Sequence, residues 1–575
     1  MKVRRKTARL AVLALALALA LILSACAQTT TTSTAGTTAT TKTTTKATTS
    51  ATSGQPFELM ERDKVSEDVY MPVPDLPLVD EPVSFSVLFP RRPEHGDFKT
   101  MWYLGHLKDT ANITLVFEGV EQTGWVEKKN LAFASGEYSD IFLTGISLDD
   151  ANKYGREGML LRLNDLLKDY SPCSMKLFAA MPTTLKNITD DEGNIYMMPS
   201  YGINPRDGVW IDGFINEEWL TKAGVAMPKT VDDLYIALKA IKTGDGNGNG
   251  IEDEIPLSFR WNFNTNWSNY YSILGAYGFV GTMHDVIDGN YVYVPVQENY
   301  RHFLSYMNKL YAEELLDNEV FTQTTEQFTA KCSEYRVGMA GQMQNYFTDT
   351  AKKEAYNMVG CLTSEYNQEL MWPVRTSETT NGSYCITDKC EYPELATKLL
   401  DFFYSYDESF IIKSGPEAGK WDGYGGWSRE KQADGSFLSS VDWDKDKYTS
   451  FWLHRLATAP MDMPFVYTID HAAIVVDSSP DLVYQAKLVD AIGIVDYRRL
   501  SYPPGVSFTQ DEQDQLATLV ALDNYVQQMV AKFITGESDV SNDTEWDAYL
   551  SETKALGIDT VIQIRQAAYD RWSAK

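Results

Sequence analysis

A segment with the spacing of a cation-binding loop lies at residues 245–254 and reads Asp-Gly-Asn-Gly-Asn-Gly-Ile-Glu-Asp-Glu. Oxygen-bearing side chains occupy its first, third and fifth positions and a glycine its sixth, as in an EF-hand-type loop around a hard cation such as Ca²⁺. Pro256 stands where the EF-hand has its closing glutamate, so the carboxylates at the ninth and tenth positions are the predicted replacements. The predicted ligands are the side chains of Asp245, Asn247, Asn249, Asp253 and Glu254 and the carbonyl of Ile251. Calcium here would clamp the loop structurally; the alternative is a solvated Gly/Asn turn that binds no ion.

The elements that must position this loop follow an α/β pattern. A helix is predicted directly before it at 231–241, with Thr230 as N-cap and Asp233 three residues later. Nearer the N-terminus, β-branched and aromatic runs at 83–89, 113–117 and 141–143 predict strands separated by helical segments, which is typical of a parallel sheet. Further helices are predicted at 98–108, 161–167, 178–185, 218–223, 300–316, 393–404 and 511–534, the last ending at Gly536.

Composition excludes several classes of protein. The net charge of −28 and the absence of a basic cluster beyond the N-terminus argue against nucleic acid and against adhesion to anionic lipid. Of the six cysteines, five follow Cys26, and an odd number cannot form a complete intramolecular disulfide set. Cys385 and Cys390 are close enough in sequence to pair, but buried free thiols are the expected state of most of the five. The scattered histidines predict no zinc site.

The N-terminus has the organisation of an export signal. Basic residues up to Arg9 precede an apolar run at 10–23, which is too short to cross ~30 Å of hydrocarbon as a permanent helix. The run ends in Leu-Ser-Ala-Cys26, which resembles the lipobox of bacterial lipoproteins. In those proteins the cysteine is diacylglycerylated and becomes the mature N-terminus, and two acyl chains give stable anchoring. Cys26 is therefore the predicted lipidation site; the alternative is an ordinary signal peptide cut after Ala25.

A threonine-rich segment follows the signal. Residues 29–53 are almost wholly Thr, Ala and Ser, and this composition cannot bury enough apolar surface to offset the entropy of ordering. We therefore predict a signal peptide at 1–25, a disordered tether at 26–55 and a folded region at 56–575, long enough for two lobes.

An ordered series of short motifs resembles extracellular solute-binding protein family 1, in particular the large lipoproteins of the LplA/LipO type. The series extends over essentially the whole mature chain, which makes it more specific than any one motif. One departure occurs at Gly415-Pro-Glu417, where alanine follows the glutamate and the family has glycine. The matching motifs include Tyr196-Met-Met-Pro, Val209-Trp-Ile, Glu218-Trp-Leu, Pro228-Lys-Thr, Asp253-Glu-Ile-Pro, Glu314-Leu-Leu, Val337-Gly-Met, Lys532-Phe-Ile-Thr-Gly, Trp546-Asp-Ala-Tyr and Ala567-Ala-Tyr-Asp-Arg.

The resemblance implies a two-lobed α/β periplasmic-binding-protein-like fold with a crossover hinge. Lobe one is expected at 80–200 and 375–407, and lobe two at 205–360 and 408–575. The family also implies calcium in the 245–254 loop, a carbohydrate ligand, with an oligosaccharide expected, and delivery to the membrane permease subunits of an ABC importer. The expected location is the extracellular face of a bacterial cell membrane, with Cys26 as the anchor.

Saccharides have apolar C–H faces and hydroxyl rims, so their sites combine flat aromatic side chains with hydrogen-bonding ones. Aromatic and polar residues mix after the metal motif and among the glycines and prolines near 420, while charged residues flank the predicted strands. The predicted ligand-binding residues are Arg91, Arg92, Asp140, Trp261, Asn264, Trp267, Trp372, Glu417, Trp421 and Tyr424. Ordinary packing is the alternative for each aromatic residue.

Two other functions are weighed against solute binding. A glycosidase needs a pair of carboxylates, which so acidic a chain can supply, but no Gly-x-Ser-x-Gly, His-Glu-x-x-His or Gly-x-x-x-x-Gly-Lys motif is present. A cell-surface glycan adhesin would use the same anchor and tether, and would expose an aromatic patch in place of a closing cleft. The sequence favours a binding protein that is not an enzyme.

Overall fold

The computed structural model describes residues 71, 73–202, 213–261, 270–341, 343–347, 349–373, 379–415, 427–431, 437–441, 447–448, 451–460, 462–467 and 493–575. Residues Gly54–Lys575 form one compact unit of the chain. Within the described ranges, no helix combines the length and the apolar character needed to cross a bilayer. The predicted signal peptide, the tether and Cys26 lie outside the described residues.

The first sheet has six strands in the order β15-β4-β12-β3-β1-β2. β1 and β2 are parallel over their whole lengths, and β3 is parallel to β1, as the sequence pattern predicts. Alternate residues of β1 pack on opposite faces: Phe85 and Val87 enter one cluster and Leu88 enters another, so both faces of the sheet are covered. The strands of this sheet are β1 (Val83–Arg91), β2 (Ile113–Glu121), β3 (Ile141–Phe142), β4 (Met198–Gly202), β12 (Thr379–Ile386) and β15 (Val466–Tyr467).

The second sheet has four strands in the order β10-β5-β9-β6, with β6 and β9 parallel and β5 antiparallel to β9 and β10. Its strands are β5 (Phe214–Asn216), β6 (Ile255–Leu257), β9 (Val337–Ala340) and β10 (Tyr356–Met358). Three two-stranded pairings complete the strands of the described ranges: β7 (His284–Ile287) with β8 (Asn290–Tyr293), β11 (Trp372–Pro373) with β16 (Arg498–Arg499), and β13 (Trp427–Lys431) with β14 (Phe437–Val441).

The helices cover the two sheets in two groups. Around the first sheet they are α1 (Trp102–Ala111), α2 (Trp125–Ser135), α3 (Leu148–Arg156), α4 (Asn164–Tyr170), α5 (Pro172–Ala180), α6 (Pro182–Ile188), α13 (Pro393–Tyr404), α14 (Tyr406–Ser414) and α15 (Phe451–Thr458). The others are α7 (Glu217–Lys222), α8 (Val231–Thr243), α9 (Tyr271–Gly275), α10 (Glu298–Ala312), α11 (Thr325–Ser333), α12 (Thr350–Glu354), α16 (Gln510–Ala517), α17 (Val520–Thr535), α18 (Asp543–Ala555) and α19 (Ile558–Ala574).

Two large hydrophobic cores correspond to the two sheets. The first core includes Phe85, Phe178 and Phe403, and the second includes Leu238 and Phe533. The chain passes between them three times: from β4 to β5, from β10 to β12, and from β15 to the helices that follow residue 510. This arrangement is the two-lobed α/β fold with a crossover hinge that the sequence predicts; the predicted lobe bounds place the third passage at 407–408, and in the structure it follows β15.

The segment after residue 408 differs from its predicted assignment to lobe two. Ile412 of α14, Ala459, Met463 and Val466 all lie in the first core, and β15 pairs with β4 in the first sheet. The physical reason is that α14 and the residues after α15 bury their apolar side chains against the first sheet. Sequence spacing identifies the helices but not the core that they join.

Local predictions are largely confirmed. α8 begins after Thr230, whose hydroxyl accepts the backbone N–H of Asp233 while the Asp233 carboxylate accepts that of Thr230. The single helix predicted at 511–534 is two helices, α16 and α17, interrupted at 518–519. Leu519 at this break lies against Gly557, where an added Cβ would be 2.7 Å from the leucine side chain.

Candidate functional site

The carboxyl ends of β1, β2 and β3 lie at the same edge of the first sheet, because these strands are parallel. Arg91, the last residue of β1, is in register with Glu121, the last residue of β2. Ligands of open α/β sheets bind outside the carboxyl ends of their strands. We call this edge the carboxyl edge; it comprises Arg91, Arg92, His95, Glu121 and residues 143–147.

Arg91 and Arg92 both lie at the carboxyl edge and are half-buried. An Arg91 Nη1 atom is 3.9 Å from a carboxylate oxygen of Glu121, a long contact between two substantially exposed groups. Arg92 makes a closer pair, with Nη2 3.3 Å from the Asp462 carboxylate. The buried Nε of Arg91 has no hydrogen-bond partner in the described part of the chain. Arg91 Nη2 also donates to the His95 carbonyl over 3.4 Å, which leaves Nε as the Arg91 atom without a partner among the described residues.

His95 is a further polar residue at the carboxyl edge, and the sequence analysis missed it. The Arg92 backbone N–H donates to His95 Nδ1 over 3.1 Å. Burial lowers the pKa of His95, although the nearby Asp462 carboxylate acts to raise it. The ring is therefore neutral, and its proton lies on Nε2 because Nδ1 accepts a hydrogen bond. That Nε2 atom is buried and has no hydrogen-bond partner among the described residues. The only local signal was a histidine within four residues of the strand end.

The loop at residues 143–147, which follows β3 at the same edge, is fixed by distant side chains; we call it the sheet-one loop. The Trp125 indole N–H donates to the Gly145 carbonyl over 2.8 Å. Ser383 holds the loop on both sides, because its hydroxyl accepts the Ile146 N–H at 2.9 Å and its own N–H donates to the Leu143 carbonyl at 3.0 Å. Gly145 has φ of +87°, and a Cβ there would lie 2.5 Å from the Trp125 ring. The loop therefore requires glycine at this position.

α3 continues directly from the sheet-one loop. Ser147 caps it through a reciprocal pair of hydrogen bonds with Asp150, and the buried Lys129 ammonium contacts the same Asp150 carboxylate. The neighbouring Asp149 contacts the C-terminal part of the chain, since Gln513 Nε2 lies 3.5 Å from its carboxylate. Burial and the charge of Asp150 raise the pKa of Asp149 to about 6, against a smaller opposing effect of Arg565.

Asp140 lies at the opposite end of the strands from the carboxyl edge, contrary to its predicted role in ligand binding. It precedes β3, and its carboxylate accepts the backbone N–H and the hydroxyl of Ser86 at 2.7 and 2.6 Å. Ser86 is five residues before Arg91 in β1, which corresponds to roughly 16 Å along a strand. Asp140 therefore joins β3 to β1 and does not share an edge with Arg91.

The predicted aromatic ligand residues have different surroundings. Trp261 is half-buried, follows β6, and stacks on Tyr270 with ring centroids 4.8 Å apart. Trp372 is fully buried in a cluster with Phe214 and Met358, which is a packing role and not the predicted ligand contact. The remaining predicted ligand residues, Asn264, Trp267, Glu417, Trp421 and Tyr424, lie outside the described residues.

The loop at 245–254, here called the metal loop, is organised by its own side chains. The Asp245 carboxylate accepts the Gly250 N–H at 3.0 Å. The side-chain oxygen of Asn247 accepts the N–H of Asn249 at 2.9 Å, and that of Asn249 accepts the N–H of Ile251 at 2.7 Å. These bonds draw the first, third and fifth side chains inward, as an EF-hand-type loop requires.

The two predicted closing carboxylates of the metal loop, Asp253 and Glu254, differ in their hydrogen-bond partners. Asp253 accepts the side-chain N–H groups of Asn247 and Asn249, both at 3.1 Å, and its other oxygen is 3.0 Å from Arg336 Nε. Burial raises the pKa of Asp253, but the two asparagine hydrogen bonds and the Arg336 charge outweigh it and lower the pKa overall. Glu254 accepts the Asn247 N–H with one oxygen at 3.2 Å, while its other oxygen is buried and has no partner in the described chain.

Over the described ranges, no group of three or more His, Cys, Asp or Glu side chains is placed to hold a metal ion. The ligand set predicted for the metal loop is instead a mixed one of carboxylate, amide and carbonyl oxygens. The five cysteines after Cys26, including Cys385 and Cys390, form no disulfide among the described residues, and four of the five are buried. Burial raises the pKa of these thiols, so they are packing residues.

The family model for bacterial extracellular solute-binding proteins matches residues 96–409, which is more than half of the chain. The chain belongs to this family. Its match with the fructooligosaccharide ABC transporter substrate-binding protein FusA of Streptococcus pneumoniae is 26% identical over 477 residues, 79% of this chain and 84% of FusA. Lipoprotein LipO of Bacillus subtilis is 26% identical over 254 residues, 42% of this chain and 48% of LipO.

Solved structures of other solute-binding proteins have the same fold. FusA in complex with kestose superimposes with a TM-score of 0.68 at 24% identity, covering 86% of this chain and all of FusA. A solute-binding protein from Bifidobacterium longum infantis, described as HMO-binding and ABC-transporter-associated, gives a TM-score of 0.71 at 23% identity, and the match covers 86% of this chain and 99% of that protein. The predicted family and fold class of this solute-binding protein are therefore confirmed.

Proposed function

We propose that this solute-binding protein captures a saccharide between its two lobes and delivers it to the permease subunits of an ABC importer. The observation that carries the proposal is the match to FusA, a fructooligosaccharide-binding protein, over most of both chains. A fold with two cores and three connecting passages suits this role, because two lobes on a hinge can close around a solute. An oligosaccharide is the ligand class that we infer.

We assign residues 80–202 and 379–467 to lobe one and residues 213–373 and 493–575 to lobe two. Lobe one would present the carboxyl edge to the ligand, with Arg91, Arg92 and His95 as hydrogen-bond donors. Trp261 would supply an aromatic surface from lobe two, since it lies four residues after the end of β6. Asn264, Trp267, Glu417, Trp421 and Tyr424 remain in the proposed ligand set; Asp140 and Trp372 do not.

The protein is proposed to act outside the cell, attached to the membrane through acyl chains on Cys26. Two acyl chains hold a protein stably at a bilayer, and the Thr-rich segment would act as the spacer. The relative LipO is itself described as a lipoprotein. No chemical step on the ligand is proposed: the protein binds and releases its solute intact and is not an enzyme.

The metal loop is proposed to hold a structural calcium ion. The buried, unpartnered oxygen of Glu254 fits this group, because an ionised oxygen without a donor is costly unless a cation neutralises it. Asp245, Asn247, Asn249 and the Ile251 carbonyl supply the hard oxygen ligands that calcium prefers. One solved FusA structure is of an EF-hand mutant, so that relative has a related loop. When bound, calcium would fix the residues that lead into β6.

Calorimetric titration of residues 54–575 with 1-kestose and a panel of neutral and acidic oligosaccharides tests the proposed function. We expect one class to bind, and Arg91→Ala and Trp261→Ala each to weaken it about tenfold or more by removing a donor or a stacking surface. Lys222→Ala, which removes an exposed cation paired with Glu218, is the control that leaves binding unchanged. Absence of binding across the panel, or chromatographic detection of cleaved saccharide, would contradict the proposal.

A further inference from the structure

Residues 502–513 and 564–575 form a small hydrophobic cluster of their own at the C-terminal end of lobe two; we call these residues the C-terminal strap. Tyr502 and Leu516 also pack against the second core, which attaches the strap to lobe two. The far side of the strap contacts α3 and α6 of lobe one, so it joins the lobes in addition to the three passages of the chain. The cluster comprises Val506, Phe508, Ile564 and Ala568, with Tyr502, Leu516, Tyr569 and Trp572 packed against them.

The strap meets α6 through close and directional contacts. The Trp572 indole N–H donates to the side-chain oxygen of Asn187 over 3.0 Å. The Lys186 ammonium donates to the Ser573 carbonyl at 3.1 Å and lies 4.1 Å from the centre of the Trp572 ring. Gly505 approaches Asn187 so closely that an added Cβ would be 2.4 Å from the Asn187 Cα. The contact with α6 therefore leaves no room for a side chain at residue 505.

The strap meets α3 at Asp149, two residues beyond the sheet-one loop. Gln513 Nε2 lies 3.5 Å from the Asp149 carboxylate and 3.3 Å from the Phe508 carbonyl. The Phe508 backbone also hydrogen-bonds to Asp149. Both of these partners belong to the strap, so the strap covers this carboxylate at the start of α3.

The position of the α3 contact indicates which arrangement of the lobes it favours. Asp149 follows the carboxyl edge of the first sheet, where ligands of open α/β sheets bind and where the lobes are proposed to close. Separation of the lobes at this edge would draw Phe508 and Gln513 away from α3. The strap contacts are therefore made when the lobes come together and are lost when they part.

We propose that the C-terminal strap is a latch between the lobes: its contacts with α3 and α6 favour the closed arrangement that holds the solute, and protonation of Asp149 strengthens the latch. The inference rests on the proposed function. A contact that stabilises the closed arrangement raises the apparent ligand affinity, because that affinity is reduced by the fraction of the protein that is not in the binding-competent arrangement. The strap acts in this way without touching the solute.

Asp149 makes the latch sensitive to pH. Burial and the charge of Asp150 raise the pKa of Asp149 to about 6, against smaller effects of Arg565 in the strap and Arg156 in α3. When the lobes part, the carboxylate regains water and its pKa falls towards the usual value, so the closed arrangement holds the proton more tightly. The latch is therefore strongest below about pH 4 and weakens as the pH rises to about 6. Burial and Arg565 lower the pKa of the nearby His284 well below its usual value, so His284 does not titrate in this range.

Gly505→Ala tests the latch sterically. The added methyl group must displace the strap from Asn187, so calorimetric titration of the full-length protein in detergent should show affinity for kestose, the saccharide bound in a FusA structure, weakened about tenfold. Gly124→Ala is the matched control, because nothing lies within 4 Å of its added Cβ, and it should leave affinity unchanged. Trp572→Phe removes only the N–H donor to Asn187 and should weaken binding about threefold. Unchanged or tighter binding in folded Gly505→Ala would overturn the inference.

The pH profile of binding tests the role of Asp149. Wild-type protein should bind kestose about threefold more tightly at pH 5 than at pH 7.5, as expected for a half-exposed carboxylate. Asp149→Asn cannot ionise, so it should bind about threefold more tightly than wild type at pH 7.5 and equally well at both pH values. Asp165→Asn, which also removes an acidic residue from the first turn of a lobe-one helix, is the matched control and should keep the wild-type profile. A wild-type profile in Asp149→Asn would overturn the role of this residue.

Hydrogen exchange of the strap distinguishes failure of this inference from failure of the proposed function, because it needs no solute. At pH 7.5 the Ser507 and Phe508 amides should exchange faster in Gly505→Ala and more slowly in Asp149→Asn than in wild type. If kestose does not bind wild type but exchange follows this order, the ligand is wrong and the latch is supported. If kestose binds and strap exchange is the same in all variants, the latch is wrong and the proposed function stands. Thermal unfolding of each variant checks that changes in affinity do not come from loss of the fold.

Discussion

The sheet-one loop in the first lobe and the metal loop in the second are built on opposite principles. Trp125 and Ser383, which are distant in sequence, hold the sheet-one loop through backbone hydrogen bonds. The metal loop is held by hydrogen bonds among its own side chains and leaves one buried carboxylate oxygen of Glu254 without a partner. The first is complete once the lobe has folded, whereas we propose that a cation completes the second. Each loop therefore fails in a different way when it is perturbed.

The strongest way to break the sheet-one loop is Gly145→Ala. The φ of +87° and the 2.5 Å approach to Trp125 should together cost about 4 kcal/mol of unfolding free energy, from backbone strain plus overpacking. Gly158→Ala is the matched control, because its φ is +78° but nothing lies within 4 Å of the added Cβ. It should cost only about 1 kcal/mol. Denaturant unfolding measures both, and equal losses would show that the Trp125 contact is unimportant.

Calcium removal should act on the metal loop alone. At calcium concentrations about a hundredfold above its Kd, the EDTA-stripped protein should gain about 3 kcal/mol of unfolding free energy by mass action. Glu254→Gln should lose most of this gain. Gly158→Ala, which lies outside the metal loop, should keep the whole calcium-dependent gain in unfolding free energy, because the effects of distant sites are additive. Thermal unfolding with and without calcium provides the comparison, and a calcium effect that survives Glu254→Gln would contradict the assigned ligand.

Trp125→Phe isolates the hydrogen bond that closes the sheet-one loop. The phenyl ring keeps most of the apolar contact but leaves the Gly145 carbonyl without its donor, which should cost about 2 kcal/mol. Hydrogen exchange of the Ile146 amide should accelerate in parallel, because the loop would open locally. Unchanged protection of that amide would mean that Ser383 holds the loop by itself.

A smaller, pH-dependent effect is expected just beyond the sheet-one loop. The pKa of Asp149 is raised to about 6 by burial and by Asp150, so the folded state holds this proton more tightly than the unfolded state. Stability is therefore lost as pH rises from about 4 to about 6, and the penalty persists above that range. Asp149→Asn should gain about 1 kcal/mol over wild type at pH 7.5 and nothing at pH 4, measured by denaturant unfolding at both values. A constant difference would contradict the shift.

Much of the fold was predictable because it depends on local patterns. Alternating apolar residues identified β1 and β2, and their order with the intervening helix predicted a parallel sheet. Thr230 and Asp233 identified the start of α8, since a capping box needs only residues three apart. The spacing of the metal loop likewise identified Asp245, Asn247 and Asn249, whose side-chain oxygens accept backbone N–H groups within the loop.

The candidate site was less predictable, because its geometry depends on strand direction and on distant contacts. Asp140 was selected for its place beside β3, but it lies at the wrong end of that strand. Trp372 was selected for its residue type, but the hydrophobic effect buries it completely. His95 and Arg336 were missed, since a lone histidine and a lone arginine carry no pattern until the fold brings Arg92 and Asp253 beside them.

The sequence by itself determined the family, the alternation of strands and helices and the cap of α8, and it predicts the oxygen ligands proposed for the metal loop. All of these follow from residues that are near neighbours in the chain. Only the tertiary structure decided which core α14 and β15 join, which edge of the first sheet carries Arg91 and not Asp140, and which closing carboxylate keeps an oxygen without a hydrogen-bond partner among the described residues. These outcomes depend on contacts between residues far apart in sequence, and a one-dimensional pattern does not specify which distant side chain will neutralise, bury or expose a given group.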